Sequence, residues 1–491
     1  MRDTNPNPNP NPNPNPNPNP NPHPNPNPNT GASANTGASA NTGASANTGA
    51  SANTGANTNT GASASIARFP GKAGHLAWLH KLGPGLITGA ADDDPSGIAT
   101  YSQAGAQFGL NMLWTILFTY PLMVGIQVVS AQIGRVSGKG LAGNLREHFP
   151  AWVAGVIVSL LLVANTINIA ADVSAMGEAM SLVAGGPARW YAVLFGSVSL
   201  LLQVCVPYSR YVRILKWLTL ALLAYVATVF TIDVPWGEAL LATVWPRPEW
   251  SPAYITTMVA VFGTTISPYL FFWQASQEVE ELQATPGARP LREAPAQARA
   301  NFHRIKVDTA IGMGFSNLVA FFIILTTALT LHLHGIDAID TSAQAALALR
   351  PLAGEFAFAL FSAGIIGTGM LAVPVLAGSA AYAMAGAFKW EKGLEKTASQ
   401  AKKFYGIIAL STLAGVLLGF FPIDPIKALY WSAVINGVIS VPIMAVMMIM
   451  AGRPAVMGRF VVRWRLRLLG WGATIAMLMA VLAMGAMILR G

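Results

Sequence analysis

Three consecutive aspartates, Asp92, Asp93 and Asp94, interrupt a long apolar stretch and are followed directly by Pro95. A charge buried in bilayer hydrocarbon costs at least about 2.5 kcal/mol, so acids at such a depth usually have a function. Proline beside them predicts a broken helix, whose free carbonyl groups line a cavity. Carboxylates beside the carbonyl end of a half-helix form a cation site. Acids that cap a surface helix are the competing interpretation, which apolar sequence on both sides disfavours.

A second break is predicted at Pro268, which follows Thr264, Thr265 and Ser267. Alone, Pro268 would be an ordinary kink, which membrane helices tolerate. Together with the break at Pro95, five spans earlier, it predicts an inverted repeat of five plus five helices. In such a repeat the ligand lies near the midplane, where the two broken helices meet. The carbonyl groups of Thr264 and Thr265 are candidate metal ligands there, and Ser267 is a candidate for direct or water-mediated contact.

The composition is that of a membrane protein. Of 491 residues, 53% are hydrophobic and 10% are charged, against about 25% charged in a soluble domain. We therefore predict an all-α polytopic membrane protein with one helix added to the two repeats of five. The single cysteine excludes an intrachain disulfide framework or thiolate metal cluster. The apolar runs predict eleven spans, at about 84–105, 110–134, 151–183, 190–207, 211–233, 255–278, 305–331, 355–388, 403–421, 425–451 and 464–489.

The basic residues fall into alternate connections between these spans. The basic segments are 68–81, 135–146, 210–216, 289–306, 389–403 and 453–467. The net charge of +9 therefore indicates membrane topology and not a nucleic-acid partner. The positive-inside rule predicts a cytoplasmic N-terminus, and the odd number of spans then places Gly491 outside. We predict an integral protein of the bacterial inner membrane that contacts the lipid bilayer and has no obligate protein partner.

Residues 1–65 differ from the rest of the chain. Asn-Pro dipeptides are followed by repeats of NTGASA, and both have too few apolar residues to form a hydrophobic core. We predict a disordered low-complexity tail over 1–65 and a transmembrane transporter domain over 66–491.

The sequence after the third aspartate resembles a known family. Residues 94–109 resemble the first-helix DPGN motif of the Nramp divalent metal transporters and its ATxxQAG continuation. The similarity continues through 113–150 and covers roughly residues 80–450. The resemblance implies a LeuT-type fold and transport of divalent transition metals, usually together with protons.

The metal ligands implied by this resemblance are only partly kept. Asp94 matches the acid of the motif, but Gly97 stands at the position of the Asn ligand. The sixth-helix MPH motif reads Ser267, Pro268 and Tyr269, so a hydroxyl replaces the soft thioether. Sites made of oxygen suit Mg²⁺, Ca²⁺ and Mn²⁺. Magnesium keeps several of its waters, and small residues at 97 and 267 would leave room for them. This pattern is similar to the Nramp-related magnesium transporters.

The residues implied to carry protons are also incomplete. Asp172 matches the first acid of the family's third helix, whereas Ala175 stands where the second would be. Tyr269 replaces the sixth-helix histidine, and a tyrosine with its ordinary pKa of about 10 does not carry protons near neutral pH. We therefore predict weak or absent proton coupling.

Further polar residues are secondary candidates. On a continuous helix Asp93 and Asp92 would project about 100° and 200° away from Asp94, so one or both would line the entry path or an aqueous vestibule. Asp92, Asp93 and Asp172 are therefore accessory acids. Asn436 would supply an amide oxygen to the metal or form an interhelical hydrogen bond. The acids at the end of the sixth span, Glu278, Glu280 and Glu281, are predicted to be solvated.

The predicted function is transport of a hard divalent cation, Mg²⁺ first and Mn²⁺ second, by alternating access. A proton-coupled Mn²⁺/Fe²⁺ importer is the nearest alternative. A sodium-coupled organic solute carrier and a membrane sensor are alternatives from other classes. No enzyme is predicted, because the sequence has no HExxH pair, nucleophile motif or phosphate-binding loop, and no cofactor is predicted beyond the transported ion.

Overall fold

The computed structural model describes residues 84–206, 210 and 218–490, and within these residues all regular structure is helical. The predicted tail and the basic residues before the first span lie outside the described residues. The α-helices are α1 Pro84–Asp92, α2 Pro95–Phe108, α3 Leu113–Ser137, α4 Leu141–His148, α5 Ala151–Ala184, α6 Ala188–Cys205, α7 Leu223–Val229, α8 Trp236–Val244, α9 Pro252–Thr265, α10 Pro268–Ala284, α11 Ala298–Thr330, α12 Ser342–Leu347, α13 Arg350–Ala353, α14 Ala357–Phe388, α15 Lys402–Leu418, α16 Pro425–Gly452, α17 Pro454–Met457 and α18 Trp464–Arg490.

Each predicted span has a helical counterpart, although the fifth is described only from Leu218. In the described part of the chain, eight helical stretches are long and apolar enough to cross a membrane. One of these stretches, Pro95–Ser137, joins α2 and α3 through a 3₁₀ turn. Helix α15, with 17 residues, and the apolar helix Leu220–Val229 are shorter than these eight stretches. The predicted all-α polytopic fold is confirmed.

The first and sixth spans are broken in the same way. Helix α1 ends at Asp92, and α2 begins at Pro95 after Asp94, whose backbone is extended (φ −73°, ψ 170°). Helix α9 ends at Thr265, and α10 begins at Pro268 after an extended Ser267 (φ −77°, ψ 127°). Proline suits the first helical position because that residue needs no N–H donor and its φ is already helical.

Glycines let the broken helices approach their neighbours at backbone distance. A Cβ on Gly89 of α1 would lie 2.2 Å from the carbonyl carbon of Gly312 in α11. A Cβ on Gly263 of α9 would lie 2.1 Å from the carbonyl oxygen of Ala433 in α16. Membrane helices use such small residues because close backbone packing is the main attraction between them. The half-helices next to both breaks are therefore held by glycine-dependent contacts.

The connections between spans meet in two groups, at opposite ends of the helices. Hydrogen bonds join the connections after the second, sixth, eighth and tenth spans. They run from Leu291 N to Arg135 O (3.2 Å), from Arg453 Nη1 to His148 O (2.8 Å) and from Arg146 to Ala387 O. Those after the first, fifth, seventh and ninth are joined by Asn111 to Glu249 (3.3 Å), Gln103 to Ile339 N (2.9 Å) and Lys427 to Asp340 (2.9 Å). This odd–even grouping agrees with the alternation of basic segments.

Candidate metal centre

Asp94 lies at the first break, and its carboxylate is already partly engaged. Its Oδ1 accepts hydrogen bonds from the backbone N–H of Gly97 (2.8 Å) and the hydroxyl of Ser96 (2.6 Å), so it caps helix α2. Its Oδ2 accepts a bond from the hydroxyl of Tyr269 (3.2 Å). Only 2% of Asp94 is exposed. The residue thus combines a helix-capping oxygen with a second oxygen that faces the other broken helix.

Two tyrosines connect the breaks reciprocally. The hydroxyl of Tyr269, in the first turn of α10, also lies 3.0 Å from the carbonyl oxygen of Ala91 at the end of α1, so its one proton is shared between this carbonyl and Oδ2 of Asp94. Tyr101, in α2, shares a hydrogen bond with the hydroxyl of Thr265 at the end of α9 (3.2 Å). We call Tyr101 and Tyr269 the tyrosine pair. The two breaks therefore meet in the interior, where an inverted repeat would form its ligand site.

Asp92 and Asp93 do not line a solvated vestibule. Asp92 is the last residue of α1 and Asp93 lies in the non-helical break, so the helical spacing assumed for them does not apply. Both are buried, and the hydroxyl of Ser316 in α11 lies 2.7 Å from Asp92 Oδ2 and 2.9 Å from Asp93 Oδ1. The prediction of a solvated location was wrong because the chain turns at the break and directs both acids against α11.

The position opposite Gly97 is filled by a threonine hydroxyl. A Cβ on Gly97 would lie 3.2 Å from Thr264 Oγ1 and 3.4 Å from Tyr101. That hydroxyl is buried, and among the described residues it has no hydrogen-bond partner. Glycine at 97 therefore leaves less empty space than its size suggests. The side chain of Thr264, and not only its carbonyl, is a free oxygen at the break.

Ser267 caps carbonyl groups at the end of α9. Its hydroxyl lies 2.6 Å from the carbonyl oxygen of Thr264 and 3.1 Å from that of Gly263. The hydroxyl of Thr265 donates to the carbonyl oxygen of Val261 (2.6 Å). Carbonyl groups in the last turn of a helix have no partner within it, so Ser267 has a structural role whether or not it also contacts an ion.

A buried carboxylate and two amides lie on neighbouring helices. Asp172 and Asn168 are one turn apart on α5, and Asn436 is on α16, which packs against α5. All three are buried, and no partner is present within the described residues for either carboxylate oxygen of Asp172 or for either amide group. Buried polar groups without partners are rare and usually meet a ligand or water.

Within the described ranges, no three His, Cys, Asp or Glu side chains converge as a metal-binding group. Asp92 and Asp93 face Ser316 of α11, whereas Asp94 faces Tyr269 of α10. An ion at the break would need oxygen from hydroxyl, carbonyl or amide groups, or from its own water shell.

The acids at the end of the sixth span form ion pairs and hydrogen bonds with other protein groups. The prediction that they are solvated was therefore wrong. Glu278 is fully buried and forms an ion pair with Arg304 of α11 (2.6 Å), and Glu281 joins the same arginine (3.1 Å). Glu280 accepts bonds from the hydroxyl of Tyr382 and the N–H of Leu394 (3.0 Å). The sequence did not reveal these pairings because the partners lie on other helices or, for Leu394, in the connection after α14.

These features define a polytopic helical membrane protein with two broken helices that meet in its interior. The sequence model of the family described as natural resistance-associated macrophage protein-like, Nramp, matches residues 85–486. The chain belongs to the Nramp family.

Relatives in sequence and in structure agree with this assignment. A protein named divalent metal cation transporter MntH from Yersinia pestis is 26% identical over 301 residues, or 60% of this chain and 69% of the relative. A manganese transporter from Eremococcus coleocola has a similar structure, with TM-score 0.64 and 16% identity over 85% of this chain and 89% of that one. Mhp1, of the nucleobase-cation-symport-1 family, gives TM-score 0.51 and 14% identity over 83% and 92%. At these identities the two structures show a shared LeuT-type fold.

Three groups at the breaks were missed by the sequence interpretation: the hydroxyls of Tyr101, Ser316 and Thr264. Tyr101 gave a weak signal, because it lies one and a half turns beyond Pro95, whereas Tyr269 follows Pro268 directly. Ser316 gave none, since serine is common in membrane helices and its partners lie more than 220 residues earlier.

Proposed function

We propose that this protein transports a hard divalent cation, Mg²⁺ first and Mn²⁺ second, by alternating access. The observation that carries the proposal is the chemistry at the meeting point of the breaks. Asp94 offers a carboxylate, and the hydroxyl groups of Ser96, Tyr269 and Ser267 lie at the same breaks. Hard oxygen donors of this kind suit Mg²⁺, Ca²⁺ and Mn²⁺, whereas softer ions favour sulfur or nitrogen.

The proposed ligands are oxygens at the breaks that do not cap a helix; Oδ2 of Asp94 is bonded only to the hydroxyl of Tyr269, which also lies near the carbonyl oxygen of Ala91. Asp94 would bind through Oδ2, because Oδ1 caps α2. Thr264 would contribute its unpartnered hydroxyl, and Thr265 its carbonyl at the end of α9. Ser267 would contact the ion through its hydroxyl, directly or through a water, and Gly97 would leave the hydroxyl of Thr264 uncovered. Asn436 would contact the ion through its amide oxygen or a water. The accessory acids Asp92, Asp93 and Asp172 would lower the electrostatic cost of the ion's passage.

A second candidate function is proton-coupled import of Mn²⁺. The relatives named above include a manganese transporter, and Asp172 is a buried carboxyl without a partner in the described residues. Such a carboxyl is a suitable proton carrier if it changes its solvent access. Weak coupling is favoured here because Ala175 and Tyr269 replace the second acid and the histidine implied by the resemblance. A sodium-coupled organic solute carrier and a sensor are less consistent with membership of the Nramp family.

The test is uptake of Mg²⁺ and Mn²⁺ into proteoliposomes by the native chain and by Asp94→Asn. Asparagine is as good a helix cap as aspartate, so the substitution removes the charge and keeps the cap. Asp424→Asn is the matched control: Asp424 also caps a helix that begins with proline, accepting from Ile426 N at 3.0 Å. We expect uptake to fall at least tenfold in Asp94→Asn and to remain in Asp424→Asn. Undiminished uptake in Asp94→Asn would exclude Asp94 as a ligand.

A pH-sensitive dye inside the same vesicles separates the two candidates. Little acidification during Mg²⁺ or Mn²⁺ uptake is expected for weak coupling. Acidification that follows the amount of metal taken up, and that disappears in Asp172→Asn, would instead establish the proton-coupled importer.

Location and domain organisation are part of the same proposal. The protein is placed in a bacterial inner membrane, with the basic connections in the cytoplasm and the C-terminus outside. The transporter domain is assigned to 66–491 and the low-complexity tail to 1–65. No enzymatic activity, cofactor or obligate protein partner is proposed.

A further inference from the structure

A cavity of about 450 Å³ lies where the connections after the second, sixth and eighth spans meet. Its walls come from the region of α4, from the last turns of α10, and from the end of α14 with the residues that follow it. The volume is within the range of small-ligand sites, about 300–1,000 Å³. The cavity is separate from the breaks and from every residue to which the metal centre was assigned.

The cavity has a strong excess of positive charge. Four basic side chains line it, and they face one carboxylate, that of Glu147; the four are Lys139, Arg146, Lys389 and Lys392. Lys139 forms a salt bridge with Glu147, which holds the pKa of that carboxyl below its usual range. Arg146 donates to the carbonyl oxygen of Ala387 at the end of α14. Because protein groups already engage these two, Lys389 and Lys392 remain to meet a ligand.

Lys392 is half-buried beside the cavity without a direct counter-ion. Among the described residues its ammonium group has no hydrogen bond or salt bridge. Burial lowers its pKa, and the charge of Glu280 opposes this only in part. That carboxylate is already bonded to the hydroxyl of Tyr382 and the N–H of Leu394. An incompletely balanced cation at a cavity wall is stabilised by an anion that enters the cavity.

Lys389 occupies a backbone position that favours glycine. It is the one non-glycine residue in the described part of the chain with a positive φ, 56°, and it ends α14. Glycine is preferred there, because a side chain in the left-handed region costs about 1–2 kcal/mol. The turn brings Lys389, Trp390 and Lys392 together at the cavity. Strain of this kind persists at functional sites, where the side chain is required.

We propose that this cavity binds a phosphate-bearing anion, supplied by the headgroup of an anionic phospholipid or by a soluble phosphate compound. Lysines are common phosphate ligands that act as point charges, and basic pockets between membrane helices at the cytoplasmic side bind phospholipid headgroups. Trp390 suits the interface, where tryptophan lies at headgroup level. The excess of basic side chains makes the cavity less suited to divalent cations than to anions.

The test uses the purified full chain with two probes. Native mass spectrometry measures retention of phosphatidylglycerol against phosphatidylcholine, and thermal unfolding in detergent measures stabilisation by inorganic pyrophosphate. The variants are Lys389→Gly and Lys392→Gln, alone and combined. Lys306→Gln is the matched control, since Lys306 is exposed on α11 and does not line the cavity.

We expect each substitution to weaken binding about fivefold at low salt, the effect of one lysine on an anionic headgroup, and added salt to weaken it further. Lys389→Gly should unfold at the same or a higher temperature than the native chain, because it relieves the positive φ, so lost binding would not reflect lost folding. A preference for phosphatidylglycerol that the double variant loses identifies a lipid headgroup. Pyrophosphate stabilisation alone, lost in the same variant, identifies a soluble phosphate. Binding of neither probe, or equal binding by native chain, double variant and Lys306→Gln, would overturn the proposal.

Discussion

Asp94 shows how one side chain can have two roles at a helix break. One carboxylate oxygen satisfies the start of α2, and the other points to the first turn of α10. The capping bonds fix the direction of the carboxylate, so Oδ2, which is bonded only to the hydroxyl of Tyr269, is oriented before any ion arrives. Preorganisation of this kind lowers the cost of binding, because less side-chain freedom is lost when the ligand enters.

Tyr269 provides a prediction at the same scale. Tyr269→Phe leaves the carbonyl of Ala91 and Oδ2 of Asp94 without this donor in a buried region, so a loss of about 1–3 kcal/mol in stability is expected. Tyr120→Phe is the control, because it removes one bond from a part-buried hydroxyl to the carbonyl oxygen of Ala310 (3.1 Å). Thermal unfolding of the two variants should show the larger fall for Tyr269→Phe. Equal falls would mean that Tyr269 is an ordinary packing residue.

At the residue scale, the sequence predicted the helix break better than the polar groups that surround it. Asp94 and Pro95 could be identified because an acid and a helix breaker are both rare in apolar sequence. Ser316 and the hydroxyl of Thr264 could not, because hydroxyl residues are common in membrane helices and contribute here through long-range packing.

At the scale of elements, the glycines beside the breaks determine how closely the half-helices pack. Gly263→Ala would place a methyl group 2.1 Å from a carbonyl oxygen of α16, so the helices must separate. We expect a loss of about 1–3 kcal/mol, typical of overpacking. Gly155→Ala is the control, since a Cβ there has nothing within 4 Å and alanine favours a helix. Thermal unfolding should show destabilisation for the first and none for the second; similar values would argue against tight packing at Gly263.

Hydropathy predicted which helices exist more accurately than it predicted where each helix begins and ends. The seventh span was predicted from 305, whereas α11 begins at Ala298, because its first turns are polar and extend beyond the apolar run. The eighth was predicted as 355–388 and is observed as Ala357–Phe388. Apolar runs report the part of a helix that lipid surrounds, while helix ends depend on local capping and turn geometry.

At the scale of the whole molecule, the grouping of connections leads to a topology prediction. In a Cys205→Ser background, which removes the one native thiol, we would introduce Glu355→Cys or Glu395→Cys. Both glutamates are exposed, and they flank α14 on opposite sides of its span. A membrane-impermeant maleimide added to intact cells should label residue 355 and reach residue 395 only after permeabilisation, because basic connections face the cytoplasm. The reverse pattern would invert the proposed orientation.

The tyrosine pair has a consequence for how the molecule can open. Each tyrosine belongs to one repeat and is bonded to the end of the half-helix that precedes the break in the other. Neither repeat can therefore tilt away from the other without breaking one of these hydrogen bonds. Each such bond contributes about 1 kcal/mol, so the arrangement with both bonds formed resists small movements of either repeat. Two distant segments of the chain therefore control opening together. Opening to both sides of the membrane at once, which would let ions leak through, requires both bonds to break.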